Sequence, residues 1–384
     1  MKTGILNRWI DIVYRGGLAV ALLLASSCGT NLADDNPFLS AIPVPRDTGP
    51  ELVEGTIIAA GSLTQGQHIG IEVRGEALTH VSVARLDGAG DSAVLVGGGP
   101  ANMPFDFLAR EAGDYFLVLA REATVEPETG QATVSLSTEV EATPARARQI
   151  IAIEFEDGYL SNPGLFDTLD GTEEERDLLA SIEGVVREET LALLESIYAD
   201  SPIVIAAGIE EAQSLADAGE SFSVVTYRPD RVPAESQDVL DVAIAPAAVT
   251  GSACAGRFVY GQTASGGFDV GNQDRSDEAS VFVGSMQGEG MECRTSVTNS
   301  VTAVSLTLAQ VGAHEIGHLL GLQHVDQIDI MNRSATIAFS TRELDFSRGQ
   351  LQFDFISGSE LQSFVFTSLI QDPEAYFDAV FGAE

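Results

Sequence analysis

Three of the five histidines in this chain fall within one short segment near its C-terminal end, HEIGHLLGLQH. His314 and His318 are four residues apart, and His324 follows six residues later. Residues four apart lie on one face of a helix, so the first two can offer imidazole nitrogens to a single ion. Three protein ligands leave the fourth tetrahedral position of zinc for water, as in catalytic zinc sites. The spacing therefore predicts one catalytic Zn²⁺ ion held by these three histidines.

A catalytic zinc site also requires a general base and a turn that brings the third ligand to the ion, and Glu315 and Gly321 are the candidates for these two roles. Glu315 follows the first histidine and is expected beside the metal, where a carboxylate can act as general base by taking a proton from water. Gly321 can adopt a left-handed conformation that ends the helix and returns the chain, with His324, to the ion. The alternative is a coincidence within a buried helix, or a degenerate descendant that binds no metal.

The extended motif resembles the active-site sequence of the metzincin zinc metallopeptidases. That family has a methionine in a tight turn below the zinc, and Met331 stands in the matching place after His324. Plain core packing is the alternative for this methionine. The short spacing is most similar to that of the matrixin branch. The resemblance implies an α/β (α+β) zincin-like metallopeptidase domain with a mixed sheet and a zinc-binding active-site helix. No tyrosine follows Met331 closely, so a tyrosine ligand is not implied.

The resemblance also implies a substrate-binding strand just before the zinc helix. The candidate residues are Val281, Phe282, Val283 and Gly284, in a run typical of a strand. At a sheet edge, such a strand can pair with an extended peptide through backbone hydrogen bonds. An ordinary core strand is the alternative.

Residues 1–27 are predicted to be a signal peptide. A positively charged start is followed by GLAVALLLA at Gly17–Ala25, which is too short to remain as a membrane-spanning helix. The segment resembles a bacterial lipoprotein signal, in which cleavage before Cys28 leaves that cysteine acylated and anchored. Ordinary secretion is the alternative. Both predict export, either to the cell envelope as an outer-membrane or surface lipoprotein or into the medium.

Charge composition narrows the class of partner. The chain has 57 acidic and 20 basic residues, for a formal net charge of −37. Such an excess argues against nucleic-acid binding and against electrostatic adhesion to anionic lipid. The expected partner is a protein or peptide substrate, with membrane contact through the lipid anchor alone. Habitat or genome composition is an alternative source of the acidity, and no pattern indicates an oligomeric state.

Cys254 and Cys293 are the only cysteines besides Cys28. In an oxidising compartment the two are expected to form a disulfide, restraining the unfolded chain by about 3 kcal/mol. Two separate thiols are the alternative.

An acidic, glycine-rich loop precedes the candidate substrate strand. Its oxygen-bearing side chains are Asp269, Asn272, Asp274, Asp277 and Glu278. Carboxylate and amide oxygens of this kind can hold Ca²⁺. A solvated acidic loop without metal is the alternative.

The chain is predicted to be multidomain. Residues 28–50, rich in proline, asparagine and aspartate, indicate a tether. Residues 51–140 contain short, glycine-punctuated β-runs typical of an antiparallel all-β sandwich. The segment from Phe105 resembles the closing strands of the prepeptidase C-terminal (PPC) accessory domains of secreted bacterial proteases. Residues 141–148 indicate a linker, and 149–384 the metzincin-like catalytic domain.

Within the second half, Gln149–Phe155 is predicted to be a buried strand, and Thr172 is expected to cap a long amphipathic helix. Further strands are predicted at Pro202–Ala206, Ser223–Tyr227 and Val239–Ala245. The aromatic-rich tail from Gly349 to Glu384 is expected to be helical and to pack on the catalytic half.

These observations favour a secreted or surface-anchored zinc-dependent endopeptidase. One alternative is a surface-anchored binding or adhesion lipoprotein whose sandwich does the work while the zinc domain is degenerate. Another is hydrolysis of a non-peptide amide. The intact Glu315 favours a hydrolase, because a scaffold could keep three histidines without the base.

Overall fold

The structure is a computed structural model that describes residues 38, 41–54, 56–76, 78–88, 90, 92–121, 131–138, 148–161, 172–230, 261–263, 269–286, 300–327, 329–332, 344–357 and 360–382. Cys28, Cys254, Cys293 and the expected strand Val239–Ala245 lie outside the described residues. The signal peptide, the anchor and the disulfide therefore stay predictions.

Nine strands are described in the N-terminal half of the chain. They are β1 (Ile42–Pro43), β2 (Glu51–Glu54), β3 (Ile57–Leu63), β4 (His68–Arg74), β5 (Leu78–Leu86), β6 (Ala93–Pro100), β7 (Pro104–Leu108), β8 (Gly113–Arg121) and β9 (Gln131–Ser137). Strands β2, β9, β4 and β7 form a four-stranded antiparallel sheet in that order. It faces a larger sheet that contains β1, β3, β8, β5 and β6.

Alternation along β4 shows how the two sheets bury their shared core. Ile69, Ile71 and Val73 are buried, while the residues between them are half-buried or exposed. Successive side chains of a strand point to opposite faces, so these three share one face. They join an apolar cluster with Val81 and Val83 of β5 in the opposing sheet. The described part of the first half thus consists of strands arranged in two facing sheets, in agreement with the short β-runs of its sequence.

The C-terminal half contains both strands and helices. Its strands are β10 (Gln149–Phe155), β11 (Ile203–Ala206), β12 (Ser223–Arg228), β13 (Gly261–Thr263), β14 (Glu278–Phe282), β15 (Gly349–Ser357) and β16 (Glu360–Gln371). Its helices are α1 (Glu173–Ile197), α2 (Ile209–Leu215), α3 (Val301–Leu319) and α4 (Pro373–Phe381), with a short 3₁₀ turn at Val283–Met286. None of the described helices is long and apolar enough to span a membrane.

Five of these strands form the mixed sheet that the sequence predicts. Its order is β11-β10-β12-β14-β13, and only the β13–β14 pairing is antiparallel. Strand β10 is covered on both faces: Ile151 and Ile153 share a cluster with α1 and α3, whereas Ile150 and Ala152 pack with α2. Burial on both faces explains why β10 is a nearly continuous apolar run. The whole chain is therefore an α+β structure with a β-rich first half.

Both long helices begin at a side-chain cap. Thr172 caps α1 as predicted, and it forms a capping box with Glu175, each side chain bonding to the other residue's backbone N–H. At the start of α3, the Ser300 hydroxyl oxygen accepts from the N–H of Ala303 at 3.2 Å. These caps satisfy N–H groups that lack partners within the helix. The predicted long helix is confirmed.

The tail from Gly349 is not helical as expected: it is a hairpin followed by one short helix. Strands β15 and β16 pair antiparallel, and only α4 beyond them is helical. The segment Gln350–Phe355 alternates polar and apolar residues, a period of two that indicates a strand. Strand β16 also pairs in parallel with β6 through Leu369 and Ile370. One seven-stranded sheet, β1-β3-β8-β5-β6-β16-β15, therefore contains strands from both halves of the chain.

Gly312 of α3 lies directly against Tyr227 of the mixed sheet. A Cβ at this position would overlap the hydroxyl of Tyr227. That hydroxyl donates to the Leu308 carbonyl at 3.0 Å, and the buried ring stacks on Phe155 with centroids 4.6 Å apart. The hydrogen bond and the stacking contact thus hold the Tyr227 ring in place, so it cannot move away from a Cβ at position 312.

We expect Gly312→Ala to destabilise the protein. The overlap should outweigh the better helix propensity of alanine and lower the free energy of unfolding by roughly 1–2 kcal/mol. Urea unfolding measures the change. Adding Tyr227→Phe removes the overlapping atom, so Gly312→Ala should cost less in that background than alone. Equal costs in both backgrounds would contradict this account.

Candidate metal centre

The end of α3 is built by a left-handed glycine, as the sequence predicts. Gly321 has φ +93°, its N–H donates to the His318 carbonyl at 3.0 Å, and the N–H of Leu322 donates to Gly317 at 2.8 Å. This pair of bonds is the Schellman arrangement that closes a helix around a glycine. A Cβ on Gly321 would overlap the Tyr376 hydroxyl and press on backbone atoms of the loop at Asp269. The turn therefore requires glycine for both conformation and space.

That turn brings the three predicted histidines together. The ligand nitrogens of His314, His318 and His324 all lie within 4.8 Å of one another, and the Nε2 atoms of His314 and His318 are 3.1 Å apart. His318 is buried, whereas the other two are half-buried. Among the described residues, this is the one group of three or more potential ligands that could hold a metal ion.

Backbone carbonyls fix the orientation of two of the rings. Nδ1 of His314 bonds to the Ile330 carbonyl at 2.6 Å, and Nδ1 of His318 bonds to the Leu322 carbonyl at 2.9 Å. A carbonyl only accepts, so each Nδ1 must carry the hydrogen. When these rings are neutral, each Nε2 then presents a lone pair to the same small space. A cation between them relieves the repulsion of two lone pairs at this distance.

Burial also favours neutral imidazoles, which is the form that binds metal. It lowers the pKa of His314 to about 4, and the hydrogen bond to Ile330 acts in the opposite direction. The pKa of His318 is lowered well below its ordinary value, first by burial and then by the two neighbouring histidines. Near neutral pH, both rings can offer lone pairs without first losing a proton.

Glu315 directly follows the first of the three histidines, His314, in α3. Its side chain is almost wholly buried, and desolvation raises the pKa of its carboxyl to about 8. A nearby cation stabilises a carboxylate, so the pKa should lie lower in a metal-bound protein. A carboxylate tuned in this way can accept a proton near neutral pH.

The turn at Met331 packs against α3, the helix that carries His314 and His318. Met331 is fully buried, and a Cβ on Gly317 of α3 would overlap its sulfur, so the helix and the turn are in close contact. The Met331 carbonyl accepts from the N–H of Val325 at 3.0 Å. The Asn332 amide donates to the Gln327 carbonyl at 2.6 Å, which ties the two sides of the turn together. Met331 is thus part of the core that packs against α3, and its role in a Met-turn stays a prediction.

Gln323, beside the third ligand, was not singled out from the sequence. Its N–H donates to Oε1 of Gln371 at 2.7 Å, and its carbonyl accepts from Nε2 of Gln371 at 2.8 Å. Its own amide donates to the hydroxyl of Ser82 in β5 at 2.9 Å. All three side chains are buried. No local motif marks these residues, because their partners are distant in sequence.

The expected edge position of the candidate substrate strand is wrong. Strand β14, with Val281 and Phe282, has β12 on one side and β13 on the other, so the core-strand alternative applies. Val283 and Gly284 belong to the 3₁₀ turn, where Gly284 lies against the backbone of Pro229. Whether a strand lies at the edge of a sheet depends on the order of all its strands. Among the described strands of the mixed sheet, the short β13 lies at this edge.

The first residues of the acidic loop are hydrogen-bonded to the end of α3 and to α4. The N–H of Asp269 donates to the His318 carbonyl at 3.1 Å, and the N–H of Gly271 donates to the Tyr376 hydroxyl at 2.7 Å. The Asp269 carboxylate accepts from the N–H of Asp274 at 2.8 Å, while burial raises its pKa to about 6. Burial likewise raises the pKa of Asp277 to about 7.

No three carboxylates of the described loop converge as a metal group. The Ca²⁺ hypothesis thus gains no support from this geometry.

A cavity of about 850 Å³ lies between α1, α3 and α4, and its lining includes neither the three histidines nor Glu315. Leu306 and Gln310 contribute to its wall, and they precede His314 by eight and four residues on the same helix face. Phe346, from the segment after the Met331 turn, lines the other side. Carboxylates outnumber Arg348 in the lining: they are Asp200, Asp345, Asp372, Glu374 and Asp378.

The chain matches no protein-family model and no curated protein. Similarity to solved structures is faint: the Yersinia pseudotuberculosis-derived mitogen shows 11% identity over 25% of this chain and 86% of that one, with a TM-score of 0.18. PliG, a periplasmic inhibitor of g-type lysozyme from Aeromonas hydrophila, shows 13% identity over 25% and 95%, with a TM-score of 0.18. A family two carbohydrate esterase from Clostridium thermocellum shows 9% identity over 46% and 60%, with a TM-score of 0.16. Scores this low carry no argument about function, which must be argued from the site itself.

Proposed function

We propose that this chain is an exported zinc-dependent endopeptidase with a metzincin-like catalytic half. The observation that carries the proposal is the convergence of three imidazole rings, the first of which is directly followed in the chain by a buried glutamate. Nitrogens bound to one tetrahedral zinc at ordinary bond lengths lie about 3.3 Å apart, and the two Nε2 atoms of His314 and His318 are separated by 3.1 Å. Imidazole donors suit zinc, and three of them leave a position for reaction.

The residues take distinct roles in this proposal. His314, His318 and His324 hold the ion, and the carbonyls of Ile330 and Leu322 orient two of the rings through Nδ1. Zinc held there would lower the pKa of water to about 7 and polarise a substrate carbonyl. Glu315 accepts a proton from the attacking water and delivers it to the leaving nitrogen. Met331 keeps the floor of the site packed.

An extended peptide fits the surroundings of the site. Among the described strands, β13 is the outermost of the mixed sheet, and its outer backbone edge can pair with a peptide without demands on its sequence. Strand β13 also contacts α3. The cavity along α3 does not reach the histidines, but it offers space for a more distant side chain of the peptide, and its acidic lining favours a basic one. This assignment moves the substrate strand from β14 to β13.

The remaining parts of the proposal concern location and partners. The lipoprotein-type signal and Cys28 would place the protein at the cell envelope, held by lipid alone. The strongly acidic composition favours a protein or peptide substrate and argues against nucleic acid. The strands of the first half would form an accessory sandwich without catalytic residues of its own.

Zinc content and proteolysis of the purified mature chain test the proposal together. We expect one zinc per wild-type chain and cleavage of casein. His318→Ala should lose both, because this buried ring is central to the cluster. His68→Ala is the control: it removes a histidine of β4, outside the cluster, and should change neither. Wild-type protein that takes up no zinc after reconstitution would overturn the proposal.

Other outcomes distinguish the alternatives. Stoichiometric zinc without cleavage of casein or of a peptide library would favour the binding or adhesion lipoprotein with a degenerate site. Cleavage of small amides but of no peptide would favour a non-peptide amidase.

A further inference from the structure

The third ligand of the metal centre is held by strands that continue into the N-terminal sandwich. The N–H of Gln352 in β15 donates to the His324 carbonyl at 2.9 Å, and the N–H of Asp326 donates to Gln350 at 3.0 Å. Strand β15 pairs with β16, and β16 pairs with β6 of the sandwich. A continuous hydrogen-bonded ladder therefore runs from the sandwich to the residue that carries the third imidazole.

A second link passes through side chains, which we call the glutamine clamp: Gln323, Gln371 and Ser82. The amide of Gln371 pairs with the backbone of Gln323 as a neighbouring strand would, with bonds of 2.7 and 2.8 Å. The amide of Gln323 reaches across to Ser82 in β5 at 2.9 Å. His80, also in β5, interacts with the Gln323 side chain.

Burial makes the glutamine clamp costly to disturb. Its three members are at most 1% exposed. A buried polar group that loses its partner is destabilised by desolvation, so each bond favours a single arrangement of the chain at Gln323. His324 is the next residue, and its backbone is bonded on the other side by Gln352. The backbone that carries the third ring is therefore held from both sides.

We infer that the N-terminal sandwich is a positioning element of the metal centre, acting on His324 through the glutamine clamp. The inference rests on the proposed metal binding by the three histidines and adds a role for the first half of the chain. Without the clamp, the turn after Gly321 would sample other conformations, and the site would hold metal through two histidines for part of the time. Partners that orient a metal ligand typically affect metal affinity 10- to 100-fold.

The test is the affinity of the full-length chain for Zn²⁺, measured by competition with a chromophoric chelator. Gln371→Leu should raise the Kd for zinc about 10- to 100-fold. Its control is Gln149→Leu, which removes another buried glutamine amide, bonded to Ser223 at 3.1 Å and to the Arg275 carbonyl at 3.2 Å. Both variants should lower the melting temperature, but only Gln371→Leu should weaken zinc binding.

Ser82→Ala is the milder variant and connects the effect to the sandwich itself. It removes one hydroxyl from β5 and should weaken zinc binding by several-fold, still without touching a ligand. The visible absorption of Co²⁺-substituted protein supplies a second readout, because it changes when one imidazole leaves the metal. Unchanged Kd and Co²⁺ spectra in both Gln371→Leu and Ser82→Ala would overturn the inference, with wild-type zinc binding intact. Wild type that binds neither metal would overturn the proposed function as well.

Discussion

Replacing Glu315 with glutamine is expected to abolish most hydrolysis while leaving the metal in place. Glutamine has nearly the same shape as glutamate but cannot accept a proton. General-base catalysis typically contributes 10²- to 10⁴-fold, so kcat for a peptide substrate should fall by about that factor. Zinc should stay at one per chain, because the three ligand nitrogens belong to other residues. Peptide cleavage kinetics and metal analysis of the same preparation measure both quantities.

Glu188→Gln is the matched control for this change. Glu188 is an exposed glutamate of α1, so replacing it with glutamine makes the same chemical change away from the site. Its activity and zinc content should equal those of wild type. If Glu315→Gln loses zinc along with activity, Glu315 has a role in assembling the site. If it keeps wild-type activity, Glu315 is not the base.

The parts of the site that could be predicted from sequence are those set by local geometry. The spacing of His314 and His318 needs only one turn of helix, and the left-handed Gly321 needs only the last turn. Met331 follows within the same short stretch of chain. Strand β10 and the capping box at Thr172 are likewise local patterns, and the structure has both.

What could not be predicted depends on contacts between distant residues. Gln323 bonds to Gln371, 48 residues away, and to Ser82, 241 residues away. No pattern around Gln323 distinguishes a buried clamp from an exposed amide. The edge of the mixed sheet was misassigned for a similar reason: β14 has the sequence of a strand, but its neighbours are set by the order of the whole sheet.

The expectation of a helical tail from Gly349 is wrong although a local signal for a strand exists. The aromatic residues of the tail indicate packing, but the two-residue period of Gln350–Phe355 indicates a strand. The connection between the two halves depends on this strand pair, since β16 is the strand that pairs with β6. No local pattern reveals that pairing, because β6 and β16 are distant in sequence.

Gly321→Ala is expected to lower the affinity for zinc strongly, although Gly321 is not itself one of the proposed ligands. The glycine has φ +93°, and a Cβ would overlap the Tyr376 hydroxyl and lie 2.5 Å from the Asp269 carbonyl oxygen. Relief requires a shift of the turn that carries His324, so zinc affinity should fall by at least about 10- to 100-fold. Strain in the left-handed region adds roughly 1 kcal/mol of destabilisation. Zinc titration and thermal unfolding measure the two effects.

Gly219→Ala separates strain from crowding. Gly219 has φ +87°, close to that of Gly321, but open space surrounds the position where its Cβ would lie. This variant should therefore lose about 1 kcal/mol of stability through the backbone alone and keep wild-type zinc affinity. Adding Tyr376→Phe to Gly321→Ala should restore affinity only in part, because the Asp269 carbonyl still opposes the Cβ. Were Gly321→Ala to bind zinc as wild type does, the turn would tolerate a Cβ, and close packing beneath Gly321 could not be what positions His324.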